Sequence, residues 1–281
     1  MNLTSKLSCP RRPGALSMLA IALLIGSGVA LADPVGAAKQ PAQPMVLLAH
    51  QQLLEGDLGA AQALLREAAA EGQGGTRALA EQAFLEDANG RHMRARQFYD
   101  ALKGSDQSAV IAVPSAVNLT ALARFDLARN AFADLQKHSS NPQVKAYAGL
   151  WGLWLGARGA SDAGLKPDAA KARVQKLARS VKAVTPQQRA LVALYQGKTD
   201  SSAVFAEIDA LQAPEAVKRD LRTEAGLFAG AYLDYVRQDH AGALRLYQRA
   251  LYQRALDQSR PSAMERPLLI QSSRALQLSS R

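Results

Sequence analysis

Four histidines, His50, His92, His138 and His240, and a single cysteine, Cys9, are the side chains of this sequence best suited to ligating a metal. No two histidines have the i, i+4 spacing that sets two imidazoles on one helix face, and none has a cysteine close by, so no metal and no other cofactor is expected. Serine hydrolase chemistry needs a strained Gly-x-Ser-x-Gly elbow, which the sequence lacks. Gly197-Lys198-Thr199 has the ending of a phosphate-binding loop, but Val192 stands where that loop needs its first glycine and no strand precedes it. Glu81, Glu86 and Asp87 cluster on one helical stretch and are read as solvated helix-face charges. An enzyme would instead be marked by a pair of carboxylates converging in a deep pocket. The reading is therefore of a non-enzymatic protein. Near the C-terminus, Arg245 and Arg249 stand one turn apart in a helical stretch, with Arg254 and Arg260 beyond them. They would form a basic ridge able to meet an acidic partner or an anionic polymer.

These side chains are carried by a period. Ala49 and Ala83, Gly56 and Gly90, and Ala61 and Ala95 are each 34 residues apart. In the first unit Leu47, Leu48, Leu53 and Leu54 form an apolar stripe before Gly56-Asp57, and Ala61, Leu64, Leu65 and Ala68 form a second at helical spacing. Neither helix can bury its stripe alone, so the pair must fold as a hairpin and stack on the next. Abundant alanine and only 5% aromatic residues suit thin, closely packed helices.

The pattern resembles the tetratricopeptide repeat, a unit with small residues at its eighth and twentieth positions and a large one at its twenty-fourth. Ala49, Ala83 and Ala116 fill the eighth, Ala61, Ala95 and Ala128 the twentieth, and Leu65, Tyr99 and Phe132 the twenty-fourth. The turn position takes Leu58, His92 and Phe125. The last unit matches again through Ala231, His240, Ala243, Tyr247 and Ala250-Leu251, so His92 and His240 are expected to be packed rings. Between these units the spacing stretches to 42 residues at Ala170, which is assigned to a lengthened turn from Arg158 to Pro167. Gly152 and Gly156 are expected to bring helices close, with Trp151 and Trp154 at the core or its edge. A long helix is predicted from Glu215 to about Gln238, and a terminal helix from Pro267 to Leu278 that covers the open end. The resemblance spans about Ala42 to Asp257. It implies an all-α fold, a right-handed superhelical solenoid of antiparallel helix pairs over residues 45–281.

The same resemblance implies a concave face lined by the first helix of each unit. Carried onto the matching positions, that face holds Val46, His50 and Leu53, then Ala80, Phe84 and Asp87, then Val113, Val117 and Thr120, and finally Phe228, Tyr232 and Tyr235. Such rings would anchor a peptide or helix of a partner protein, unless the superhelix is so tight that they are core.

Lys6, Arg11 and Arg12 precede an uncharged apolar run from Ser17 to Ala32 that ends in Ala30-Leu31-Ala32, the layout of a cleaved secretory signal peptide over residues 1–32. A run of about 16 apolar residues is shorter than the roughly 20 that span a bilayer, so no transmembrane anchor is expected after cleavage. Cleavage would remove three basic residues and the only cysteine, leaving a net charge of +7 instead of +10. Residues 33–44, with three prolines, read as a flexible linker. The expectation is thus a periplasmic adapter with a protein partner in the cell envelope, or alternatively a binder of anionic glycan or lipid, and not of nucleic acid.

Overall fold

The computed structural model describes residues 44–252 and 259–279. Among these residues the chain is all helical, without a strand. It forms six successive hairpins: α1 (Met45–Glu55) with α2 (Leu58–Ala70), α3 (Gly75–Ala88) with α4 (His92–Ala101), and α5 (Ser108–Ala121) with α6 (Phe125–His138) come first. Then follow α7 (Pro142–Asp162) with α8 (Pro167–Ala178), α9 (Pro186–Tyr195) with α10 (Ser201–Asp209), and α11 (Glu215–Ala231) with α12 (His240–Tyr252). A last helix, α13 (Arg266–Ser279), closes the described chain. Each helix packs on its hairpin partner and most meet the next hairpin, which is the construction of a helical solenoid. No described helix is long and apolar enough to cross a membrane. The signal peptide and nearly all of the linker expected before α1, and Arg254 of the basic ridge, lie outside the described residues.

The hairpin turns share one backbone device. Gly56, Gly90, Ala123 and Gln238 each stand two residues before the second helix of their hairpin, at φ of 91°, 75°, 56° and 55°. A left-handed residue lets the next N–H reach back to a helical carbonyl, as Asp57 N does to Gln52 O and Arg91 N to Glu86 O. The geometry persists even where glycine does not. Asp57, Asn141 and Asp200 then cap the following helices by accepting their first free N–H groups.

The repeated small residues sit where helices cross. Ala49, Ala83, Ala116, Ala61, Ala95 and Ala128 are all buried, with Leu65, Tyr99 and Phe132 beside them. In the last hairpin a Cβ on Gly226 would lie 2.4 Å from Ala250 Cβ, and one on Gly230 would lie 2.3 Å from Tyr247 Cε1, so only glycine admits α12 this close to α11. On α7 the close approach is made by Gly149 and Gly156, against Val181 and Leu177, whereas Gly152 meets nothing. Trp151 and Trp154 are fully buried, Trp151 stacked on Phe132 at 5.3 Å.

One expectation is corrected, and two helices form as expected with added detail. The extra length before Ala170 lies in α7 itself, which runs through Arg158, Gly159 and Ala160 to Asp162. Arg158 holds that end by pairing with Asp162 and by lying over the Phe125 ring at 4.3 Å. The long eleventh helix changes at Tyr232 to one π-helical turn, Tyr232–Val236. And α13 does not merely cover an open end. It packs on α12 and α11 and reaches α5, four hairpins back in the chain.

Because α7 also touches α9 and α11, the later hairpins pack on one another across their inner side. Two apolar clusters result. One joins Ala49, Leu53, Phe84, Tyr99 and Ile111 in the first hairpins, and the other runs from Val113 to Leu269.

Candidate functional site

A cavity of about 170 Å³ lies where the two apolar clusters fail to meet. The inner faces of the first three hairpins supply His50, Leu53 and Leu54 from α1, Phe84, Asp87 and Ala88 from α3, and Pro114, Val117, Asn118 and Ala121 from α5. Tyr147 of α7 and Asp220, Leu221 and Glu224 of α11 form the far side. The remaining wall is the chain's own irregular segment leading into α13, through Arg260, Ser262, Ala263, Met264, Glu265 and Pro267.

That segment is tied down at both flanks. Arg260 donates from Nη1 to Leu54 O at 2.6 Å, at the C-terminal end of α1 where carbonyls lack helical partners. Its Nε and Nη2 also grip the carboxylate of Asp220 on α11. Burial, and after it the neighbouring Arg219, pulls the pKa of Arg260 down. The next residue, Pro261, presses on the turn of the first hairpin, where a Cβ on Gly56 would come within 3.0 Å of its Cδ. At the other flank Tyr147 donates to Glu265 Oε1 at 2.5 Å.

The polar lining is mostly saturated. Asp87 accepts from Tyr99 at 2.9 Å and from Asn118 at 2.7 Å and pairs with His92 Nδ1 at 2.9 Å. His50 Nδ1 pairs with Glu81 at 2.9 Å. Glu81 and Glu86 are therefore not solvated charges: both are buried, Glu86 held by Arg91 and Arg94. The exceptions are Asn118, whose Oδ1 is buried without a partner, and Glu224. Glu224 Oε1 is buried without a hydrogen-bond partner, and burial, followed by the nearby Glu265, pushes its pKa up to about 8. Burial also raises that of Glu265, against the bond from Tyr147. A catalytic pair needs neighbouring carboxyls whose environments drive them apart, one ionised and one protonated. Burial thus raises both carboxyls, and the charge of Glu265 raises Glu224 further.

Of the inner-face residues expected from the repeat, His50, Leu53, Phe84, Asp87 and Val117 do meet at this cavity. Phe228, Tyr232 and Tyr235 do not. Phe228 is fully buried against Trp151 and Tyr147, Tyr232 packs on Tyr195, and Tyr235 lies edge-on to Trp154 with its hydroxyl taken by Arg158. Phe228 and Tyr232 are core and Tyr235 is half-buried, because α7 packs against this side of α11 and the turn that follows it. His240 is corrected too, since its ring is exposed and bonds the buried Asp234 at 2.8 Å across the turn. His138 is exposed beside Asp134. On the basic ridge Arg245 and Arg249 are exposed, Arg249 lying over Phe205, but Arg260 turns inward to Asp220.

The residues that sequence reasoning missed are Glu224, Glu265, Asp220 and Tyr147. Repeat numbering starts the last unit at Glu224, and that residue together with Asp220 and Leu221, just ahead of the unit on the same helix, reaches the cavity. No protein-family model matches the chain, and no curated protein matches it. Among the described residues no group of histidine, cysteine and carboxylate side chains is placed to hold a metal.

Proposed function

We propose that this protein is a non-enzymatic adapter of the cell envelope, a tetratricopeptide-like solenoid that holds a segment of a partner protein in the cavity between its first three hairpins and α11. One observation carries the reading. The cavity already has a stretch of polypeptide for a wall, since Arg260 to Glu265 lies along it as irregular chain, anchored by Tyr147, Asp220 and the backbone carbonyl of Leu54. A surface that seats one irregular segment offers the same apolar walls and hydrogen-bonding rim to another. An anionic ligand is disfavoured there, because Asp87, Asp220, Glu224 and Glu265 line the cavity and Arg260 is already committed to Asp220.

The test is photocrosslinking from a benzoylphenylalanine placed at Ala121, which lies on the cavity wall at the end of α5. Cells producing the protein should give one dominant protein adduct, and a peptide from its crosslinked region should bind the purified chain. Ala88→Trp, which fills the cavity from the end of α3, should abolish both signals while leaving helical circular dichroism unchanged. An adduct that persists at full yield in Ala88→Trp overturns the proposal.

A further inference from the structure

The cavity also carries information about what the partner segment must contain. We propose that it is a receptor for a primary ammonium on a short aliphatic stem, the chemistry of a lysine side chain, with the carboxylate of Glu224 as the ammonium's partner. This rests on the reading of the cavity as the binding site for a partner segment and specifies the residue that enters it.

Size comes first. At about 170 Å³ the cavity is slightly larger than the ~150 Å³ void that accommodates benzene, so it holds a side chain of four to six heavy atoms and not a folded element. Its walls are greasy: Leu53, Phe84, Val117 and Leu221 flank the space and suit a methylene stem. The chemistry at its end is not greasy. Glu224 Oε1 is shut off from solvent and unpartnered, an arrangement that normally costs stability unless something else satisfies it.

The charges facing this point come from every surrounding element. From α1 and α3 come His50 and Asp87, from α4 His92, from α11 Asp220, and from the α13 approach Arg260 and Glu265. The cation among them, Arg260, is engaged with Asp220, and His50 and His92 already bond Glu81 and Asp87. The lining is thus acidic in composition, with Asp87, Asp220, Glu224 and Glu265 around the space, inside a chain whose overall charge is +10. A compact ammonium suits the lone carboxylate of Glu224, whereas a guanidinium fork wants two oxygens presented side by side, and Glu265 already accepts from Tyr147. On binding, the protonated carboxyl of Glu224 gives its proton to bulk buffer and the ammonium keeps its own, leaving one ion pair and one released proton.

Proton release makes the test specific. Calorimetric titration of the full chain with n-hexylamine at pH 7, repeated in two buffers of different ionisation enthalpy, should report close to one proton released per amine bound. Hexanol and hexanoate should bind at least tenfold more weakly. Glu224→Gln should weaken n-hexylamine at least tenfold and remove the proton release, with the wild-type release standing as an independent readout should that variant fold poorly. Amine binding no tighter than hexanol, or binding without proton release, overturns the assignment. If n-hexylamine fails while the crosslinked partner peptide still binds and is lost in Ala88→Trp, the ammonium assignment alone falls. If the peptide also ignores Ala88→Trp, the whole reading of the cavity falls.

Discussion

Replacing Glu224 by glutamine should make the folded protein more stable at pH 8 while changing little at pH 5. The carboxyl of Glu224 is held protonated by burial and by Glu265, with its pKa pushed up to about 8 from an ordinary 4.5. An acid with a raised folded-state pKa binds its proton more tightly folded than unfolded, so its contribution is fully retained below the unfolded value and is lost as pH climbs through the folded one. At about 1.4 kcal/mol per pH unit across that window, the loss approaches 5 kcal/mol as an upper bound, because the residue is partly exposed to the cavity and water there softens the cost. The amide keeps the shape but has no proton to lose. Urea denaturation at intervals from pH 5 to pH 8 should therefore show wild type losing roughly 2–4 kcal/mol more than Glu224→Gln. Asp234 and Glu265 also have raised pKa values and lower stability in the same direction, but they are present in both proteins and largely cancel in the difference. Curves for the two proteins that fall in parallel would refute the account of Glu224 as a buried, partnerless acid.

Two further outcomes follow from the strap and the turns. Arg260→Ala removes a charge-assisted bond to Leu54 O and the clasp on Asp220, and at about 1.5–3 kcal/mol per bond of this kind, discounted for partial exposure, should cost about 2–4 kcal/mol. Since the first two hairpins form an apolar cluster of their own, hydrogen exchange should quicken in α1 and α2 before it does in α7, and uniform protection would contradict this. Ala123→Gly should stabilise by about 0.5–1 kcal/mol, because an exposed alanine held at φ 56° relaxes its left-handed strain, and an unchanged thermal midpoint would show the strain to be absent.

The hairpins were legible because the signals are local. Ala49, Ala61 and Leu65 recur at one period, and each describes a crossing between helices adjacent in sequence. Turn positions were legible for the same reason, whereas the left-handed backbone that Ala123 and Gln238 share with Gly56 and Gly90 shows only in the structure. What escaped depends on how tightly the stack winds. The repeat rule names the side of a helix that faces inward, and Phe228 and Tyr232 do face inward, but α7 is there to meet them. Glu81 is hidden by a histidine 31 residues earlier, and its charge carries no mark of that partner. The cavity was half visible, through His50, Phe84 and Asp87. Its other half comes from Glu224, one turn before the ring expected to matter, and from an aperiodic segment around Pro261 whose role is set by a residue 206 positions away.

The bond between Arg260 and the end of α1 has a consequence for how this architecture can vary. An open stack of hairpins tolerates gain or loss of a unit, since each touches only its neighbours. Here an inserted hairpin would displace Leu54 from Arg260 by one interhelix spacing, roughly 8–10 Å, far outside hydrogen-bond reach. Unit number is thereby locked to the geometry of closure. The molecule is counted rather than modular: a homologue with five or seven hairpins would need a different clasp and would surround a different cavity.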